Sequence, residues 1–336
     1  MKRLLFSITI FSTFSLTLAM NFKPPTADER LKAISSTEGA SETLRKALEP
    51  GGDFTAIPHP KPGDWLAVHR ETGQTFEQFV KSKPNRPDKI RSKIYLQPLG
   101  EFGFTQSGDP PTNQIPLVES LKEYAGAFFD MQVEVLPRLT LSGQAITTRI
   151  NSLTRNRQIL TGDVLTILKG KLPADAFCVL AITMEDLYPD PSWNFVFGQA
   201  SLRTRVGVYS FARYDPAFYG NKRTKDYQKI LLRRSCKVLV HETGHMFGLT
   251  HCIYFKCVLN GSNHLKESDS RPMHLCPVCL RKLQHSIGFD VISRYTKLFR
   301  FYRKLELDDE ARWIANRLEY ILGPEAAKAI IKQKSR

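Results

Sequence analysis

The run HETGHMFGLTH, from His241 to His251, constrains this chain more than any other feature. Residues four apart on a helix share a face, so His241 and His245 can offer two imidazoles to one cation while Glu242 stands beside them as a base. Uninterrupted helix would carry a third imidazole away from the first two. Gly248 can end the helix in a conformation other residues resist and return His251 as the third ligand. Three histidines leave a zinc ion one open position for water, whose pKa falls towards neutrality there. Glu242 could take that proton while the zinc polarises a carbonyl, so the expected reaction is hydrolysis of an amide bond. The alternative is a buried helix whose histidines are satisfied polar groups.

Cysteine placement is an independent signal. Cys252 directly follows the third histidine, Cys257 lies shortly after, and Cys276 and Cys279 form a CPVC knuckle. Four thiolates complete a tetrahedral shell for a structural zinc closed to water. A zinc there would pin the chain that presents His251; two disulfides are the alternative. Cys178, in the apolar run AFCVLAI, and Cys236 read as small buried residues.

With both motifs in view, the chain resembles a known family, the archaemetzincins in their animal form. Their pattern is HExxHxxGxxH followed at once by a cysteine, then a second cysteine, a methionine beneath the histidines and a CxxC pair. HETGHMFGLTHC, FKCVLNGSNHL and LCPVCLRKLQ match nearly all of it, and DAFCVLAITMEDLYPDPSWNFVFGQAS and GVYSFARY extend the likeness, which spans most of Trp65 to Tyr295. The resemblance implies an α/β (α+β) fold: a metzincin-like catalytic domain with a mixed twisted sheet, a long active-site helix and a mainly helical, zinc-stabilised C-terminal subdomain. It implies zinc ligands His241, His245 and His251, the base Glu242, and a second zinc on Cys252, Cys257, Cys276 and Cys279, hence two zinc ions per chain. Leu259 stands where the family has its methionine. Leucine fills much the same apolar volume, although the rigidity of the zinc platform is then in question. The connection from Asp215 to Asp226 also looks shorter than in some animal relatives.

Taken in order, the chain opens with Lys2, Arg3 and an apolar run from Leu4 to Ala19, the pattern of a secretory signal peptide over residues 1–19. Met20 could equally be an internal start, and a tetrathiolate zinc prefers a reducing compartment. The resemblance is to cytosolic or nuclear enzymes, so it implies cytoplasm or nucleus slightly ahead of secretion. Residues 20–91 read as an N-terminal extension of short helices and turns with little functional content, including a candidate docking segment. Residues 92–249 read as the N-terminal catalytic subdomain: KIYLQPLG a strand, PLVESLKEYAGAFF a helix, MQVEVLPRL a strand, GDVLTILKGKLP a helix and DAFCVLAITMEDLY a strand. FVFGQASLRTRVGVYSFARY supplies two short strands, which in a resembling metzincin fold form the cleft-facing edge that an extended peptide can join. DYQKILLRRSCKVLVHETGHMFGL is the active-site helix, with Ile230, Leu231, Val238 and Leu239 packing inward and Arg233 and Arg234 solvated. Residues 250–336 read as the C-terminal subdomain with the four-cysteine zinc. Its last part reads as two helices broken near Asp308 and Asp309, with apolar stripes at Tyr295, Leu298, Phe299 and Tyr302 and at Trp313, Ile314, Leu318 and Ile321.

The 336 residues, 42% of them hydrophobic, suffice for a sizeable core. A net charge of +15 permits acidic partners, yet the basic residues are scattered and no helix-turn-helix or aromatic RNA-binding pattern occurs, so no specific nucleic acid is expected. No transmembrane span is expected beyond the leader-like run. The chain reads as a zinc metallopeptidase acting on peptides or proteins, either an aminopeptidase or a selective endopeptidase. The alternative is a zinc-stabilised interaction protein with little turnover, motivated by Leu259 and the short connection. Zinc itself is inferred from ligand type, since three-histidine sites accept other divalent metals.

Overall fold

The computed structural model describes residues 22–101 and 117–332. The leader-like run and Met20 lie outside the described residues. Four short helices come first: α1 (Ala27–Ile34), α2 (Glu42–Leu48), α3 (Trp65–Val68) and α4 (Phe76–Lys81). Thr26 and Thr75 each close a capping box, with Glu29 and Gln78, which lets such brief segments hold helical geometry.

The middle of the chain mixes strands and helices: β1 (Lys93–Leu99), α5 (Leu117–Phe129), β2 (Gln132–Val135), β3 (Thr148–Ile150), β4 (Arg157–Leu160), α6 (Thr161–Gly170), β5 (Ala176–Thr183), β6 (Asp186–Tyr188), β7 (Gly198–Ser201) and β8 (Val206–Ser210). Five strands pair in the order β2-β1-β5-β8-β7, all parallel except β7, which runs antiparallel to β8 at the edge. The order β3-β4-β6 makes a second, three-stranded sheet. The segment DAFCVLAITMEDLY is therefore not one strand: it splits after Thr183, and Asp186–Tyr188 joins the small sheet through β4. The buried ion pair of Asp186 with Arg213 sits at that junction, giving a polar reason for the chain to leave the apolar sheet.

Strand β5 is buried along its whole length, and period-two alternation divides its side chains between two cores. Cys178, Leu180 and Ile182 join Ile94 and Leu96 on the face covered by α5 and by the long helix α7 (Tyr227–Met246), while Val179 and Ala181 join Val206, Val208 and, from α6, Val164 and Leu168 on the other. On α7, Leu231, Val238 and Leu239 are buried as expected, but Ile230 is exposed because it falls off the inward stripe. Arg233 and Arg234 are not free in solvent: Arg233 pairs with Glu310, and Arg234 with Asp269 at 2.7 Å.

Beyond α7 follow α8 (Leu265–Ser270), α9 (Pro277–Ile287), α10 (Val291–Lys304), α11 (Asp308–Leu322) and α12 (Pro324–Lys332). The C-terminal segment thus holds three helices rather than two. The break near Asp308 is present, and a second occurs where Gly323 takes a φ of +84° immediately before Pro324. Tyr295, Leu298, Tyr302, Ile314, Leu318 and Ile321 are core residues, with Phe299 and Trp313 packed against them. Helix α9 packs against α1, α2 and α4, so the first and last parts of the chain cover one another. Part of the positive charge is internal. Arg294 and Arg317 are among the largest fully buried side chains and donate to the carbonyls of Phe128 and of Lys46, Ala47 and Glu49. No helix among the described residues is long and apolar enough to cross a membrane.

Candidate metal centre and active site

Helix α7 places His241 and His245 one turn apart, with Nε2 atoms 3.1 Å apart. The helix stops at Met246, and Gly248 turns the chain at a φ of +92°. The turn has two consequences. It sets the Leu249 carbonyl 2.7 Å from His245 Nδ1, and it brings His251 back, so that one nitrogen from each of the three histidines lies within 4.8 Å of the others.

The donor chemistry suits a cation. His241 Nδ1 donates to the Val258 carbonyl at 3.0 Å, His245 Nδ1 to Leu249, and His251 Nδ1 to Glu71 Oε1 at 2.8 Å. With each Nδ1 carrying the proton, each Nε2 presents a lone pair, and two such lone pairs 3.1 Å apart repel unless a cation lies between them. Tetrahedral zinc–imidazole geometry calls for about 3.3 Å between ligand nitrogens. Burial pushes the His245 imidazole down to about 4 and pushes His241 well below its ordinary value, which keeps both neutral as ligands must be.

Glu242 is buried beside this cluster, packed against the start of β7, where a Cβ added to Gly198 would meet its carboxylate at 2.7 Å. Burial pushes its carboxyl up to about 8, opposed by the Arg271 guanidinium. Leu259 lies beneath the helix, its Cδ1 3.1 Å from where a side chain on Gly244 would begin, between His241 and His245 in the sequence of α7.

The sulfur atoms of Cys252, Cys257, Cys276 and Cys279 also lie within 4.8 Å of one another, and all four residues are buried. Cys252 Sγ and Cys276 Sγ are 3.5 Å apart, and all six cysteines are free thiols in this structure. A tetrahedral zinc–thiolate shell sets sulfurs about 3.8 Å apart. Backbone N–H groups of Leu259 and Cys276 donate to Cys257 Sγ at 3.5 and 3.3 Å, as they do to thiolate acceptors. Burial, then the neighbouring thiols, push the Cys276 thiol well up, whereas the Cys252 thiol, against its burial, is held well down by hydrogen bonds with Cys257, Cys276 and Cys279. Four thiolates buried together would need a compensating dication.

Several supporting residues carried no signal in the sequence. Asn260 ties the loop together, donating to the carbonyls of Cys252 and Phe255 and accepting from the Cys257 N–H. Arg271 donates to the Asn260 carbonyl under the same loop. Trp65 sets its ring edge-on to His251, with centroids 5.0 Å apart, and donates from Nε1 to Glu71 Oε1 at 2.9 Å. Residues 64–74, read from the sequence as carrying little functional content beyond a candidate docking segment, therefore wall the histidine cluster. A third group, Asp64, His264 and Glu267, also has its polar atoms close together. Its nitrogens are already used, however: His264 Nδ1 accepts from the Glu267 N–H and Nε2 donates to Asp64.

Comparison with known proteins follows this geometry. The model of peptidase family M54 matches residues 138–285, which contain all three histidines, Glu242 and the four cysteines. Archaemetzincin-2 of Homo sapiens is 42% identical over 299 residues, covering 81% of this chain and 80% of that protein. Archaemetzincin-1 of Mus musculus is 34% identical over 267 residues, covering 71% of this chain and 52% of that protein. The crystal structure of archaemetzincin from Methanopyrus kandleri superposes with a TM-score of 0.44 at 30% identity, covering 60% of this chain and 99% of its own.

Proposed function

The chain belongs to the archaemetzincin family, peptidase family M54, and from that premise we propose that this metallopeptidase binds two zinc ions and cleaves extended peptides at the three-histidine site. His241, His245 and His251 hold the catalytic ion, and Cys252, Cys257, Cys276 and Cys279 hold a structural one. The convergence of three imidazoles beside a buried glutamate carries this reading. Zinc at the histidines supplies Lewis acidity, polarising the scissile carbonyl and acidifying water.

The protein's own groups supply the rest. Glu242 takes a proton from the attacking water and returns it to the departing amine nitrogen. Among the described residues strand β7 pairs with β8 along one side only, and its other backbone edge offers hydrogen bonds to an extended peptide. Because Glu242 packs against Gly198 at the start of that strand, a peptide lying along the edge passes the base. The closed cysteine site holds no position for water and instead braces the chain between His251 and Leu259.

Elemental analysis and peptide-library cleavage of the parent, Glu242→Gln and His245→Ala test the reading. The parent should hold two zincs, Glu242→Gln two, and His245→Ala one. Glu242→Gln should lose about two to four orders of magnitude in rate. The library also separates removal of N-terminal residues from internal cleavage. Unchanged cleavage by Glu242→Gln, or one zinc in the parent, would overturn the assignment.

A further inference from the structure

The turn that delivers His251 is gripped from outside by a segment 180 positions earlier in the chain. Glu71 Oε1 accepts from His251 Nδ1 at 2.8 Å. Three residues on, the Gln74 side chain donates to the Gly248 carbonyl at 3.2 Å and accepts from the Thr250 N–H at 3.5 Å. One short stretch thereby engages three residues of the turn, Gly248, Thr250 and His251. The approach is close. A Cβ on Gly73, whose φ is +70°, would fall 2.7 Å from Ile253 Cγ1, and one on Gly261 would fall 2.5 Å from the Trp65 ring. Lys282 of α9 donates to the Gln74 carbonyl and Trp65 donates to Glu71, so the stretch is fastened at both ends.

His241 and His245 take their orientation from backbone carbonyls on α7's own turn and the cysteine loop. His251 alone takes its orientation from a carboxylate. We infer that Glu71 is a positioning residue for the catalytic metal: its carboxylate holds His251 in the Nδ1–H tautomer, aims Nε2 at the ion and makes that imidazole the more basic ligand. Carboxylate partners of metal-bound imidazoles act in this way, and their removal weakens metal binding by about 10- to 100-fold. The N-terminal extension is then part of the active site. This inference rests on His251 being a ligand in the reading above.

The test is zinc affinity of the full-length protein, measured by competition with a chromogenic chelator, alongside thermal unfolding. Glu71→Ala should release the histidine-site zinc at about 10- to 100-fold lower chelator strength while the cysteine-site zinc stays bound. Glu71→Gln, whose amide oxygen still accepts the Nδ1 proton, should recover most of that loss. Affinity unchanged in Glu71→Ala, or a Gln variant as weak as Ala, would overturn the inference. His251→Ala separates the two levels: if it too leaves zinc affinity unchanged, the ligand assignment itself fails, whereas a loss confined to His251→Ala removes only the role of Glu71.

Discussion

The Glu242 carboxylate fills the space in which a side chain at residue 198 would stand: a Cβ built on Gly198 lies 2.7 Å from Oε1 and 2.8 Å from Cδ. The edge strand and the proposed base thus share one contact, and Gly198 is required there by a close approach rather than by its own dihedral freedom. Gly198→Ala should push Glu242 aside while sparing both metal sites. We expect cleavage to fall by about two orders of magnitude, the usual cost of misplacing a reacting group by about an ångström, with zinc content unchanged. Full activity in this variant would show that Glu242 reaches its working position from elsewhere.

Cys276→Ser should damage more than its own site. Cys252 adjoins His251 in sequence, and its N–H donates to the Leu259 carbonyl at 2.9 Å, so slackening the thiolate cluster also loosens the histidine turn. Closed zinc sites contribute folding free energy directly. Thermal unfolding and zinc content should therefore fall together, with both ions retained poorly. Loss of only one zinc with an unchanged melting temperature would make the two sites independent.

Leu259→Met tests the platform beneath the histidines. Leu259 is 1% exposed and pressed against Gly244, and a swap of similar volume there should change stability by less than about 1.5 kcal/mol. Zinc retention should match the parent. A tenfold change in zinc affinity in either direction would show that this position tunes the metal rather than filling space.

Lys237 links stability to pH. It is buried on α7, donating to the carbonyls of Ser268 and Asp269, and burial pushes its ammonium down to about 7 from the ordinary lysine value. The unfolded chain then binds more protons than the folded one between about pH 7 and pH 10, so this residue's contribution makes the fold more stable as pH rises through that window. Below about pH 7 the cost of the buried charge is fully present. Lys237→Met should flatten the pH dependence by an amount on the order of a few kcal/mol, read as the difference in melting temperature between parent and variant across pH 7 to 10. Parallel curves would mean that Lys237 keeps its charge when folded.

How far the site was legible differs residue by residue. His241, Glu242 and His245 sit on one helix, where fixed periodicity turns spacing into geometry. His251 was readable because Gly248 marks the turn, and the four cysteines because thiolates have few other uses in such a cluster. Period-two and helical patterns likewise located most strands and helices. The split of β5 from β6 was not readable, because the Asp186–Arg213 pair that accompanies it joins residues distant in sequence. The Gly323 break merges, in sequence, with an apolar stripe that continues on both sides.

The sequence by itself therefore determined which groups gather: an imidazole cluster with an adjacent carboxylate, a four-cysteine cluster and a helix long enough to carry the first. These follow from local rules, since ligand type and short spacing act through covalent geometry alone. Tertiary structure decided what stands around that chemistry. It brought Glu71 onto His251, Gly198 onto Glu242 and Asn260 into the cysteine loop. Partners of the first two kinds are chosen by how sheet, helix and extension pack, and packing free energy depends on the whole set of buried surfaces rather than on any one stretch of residues.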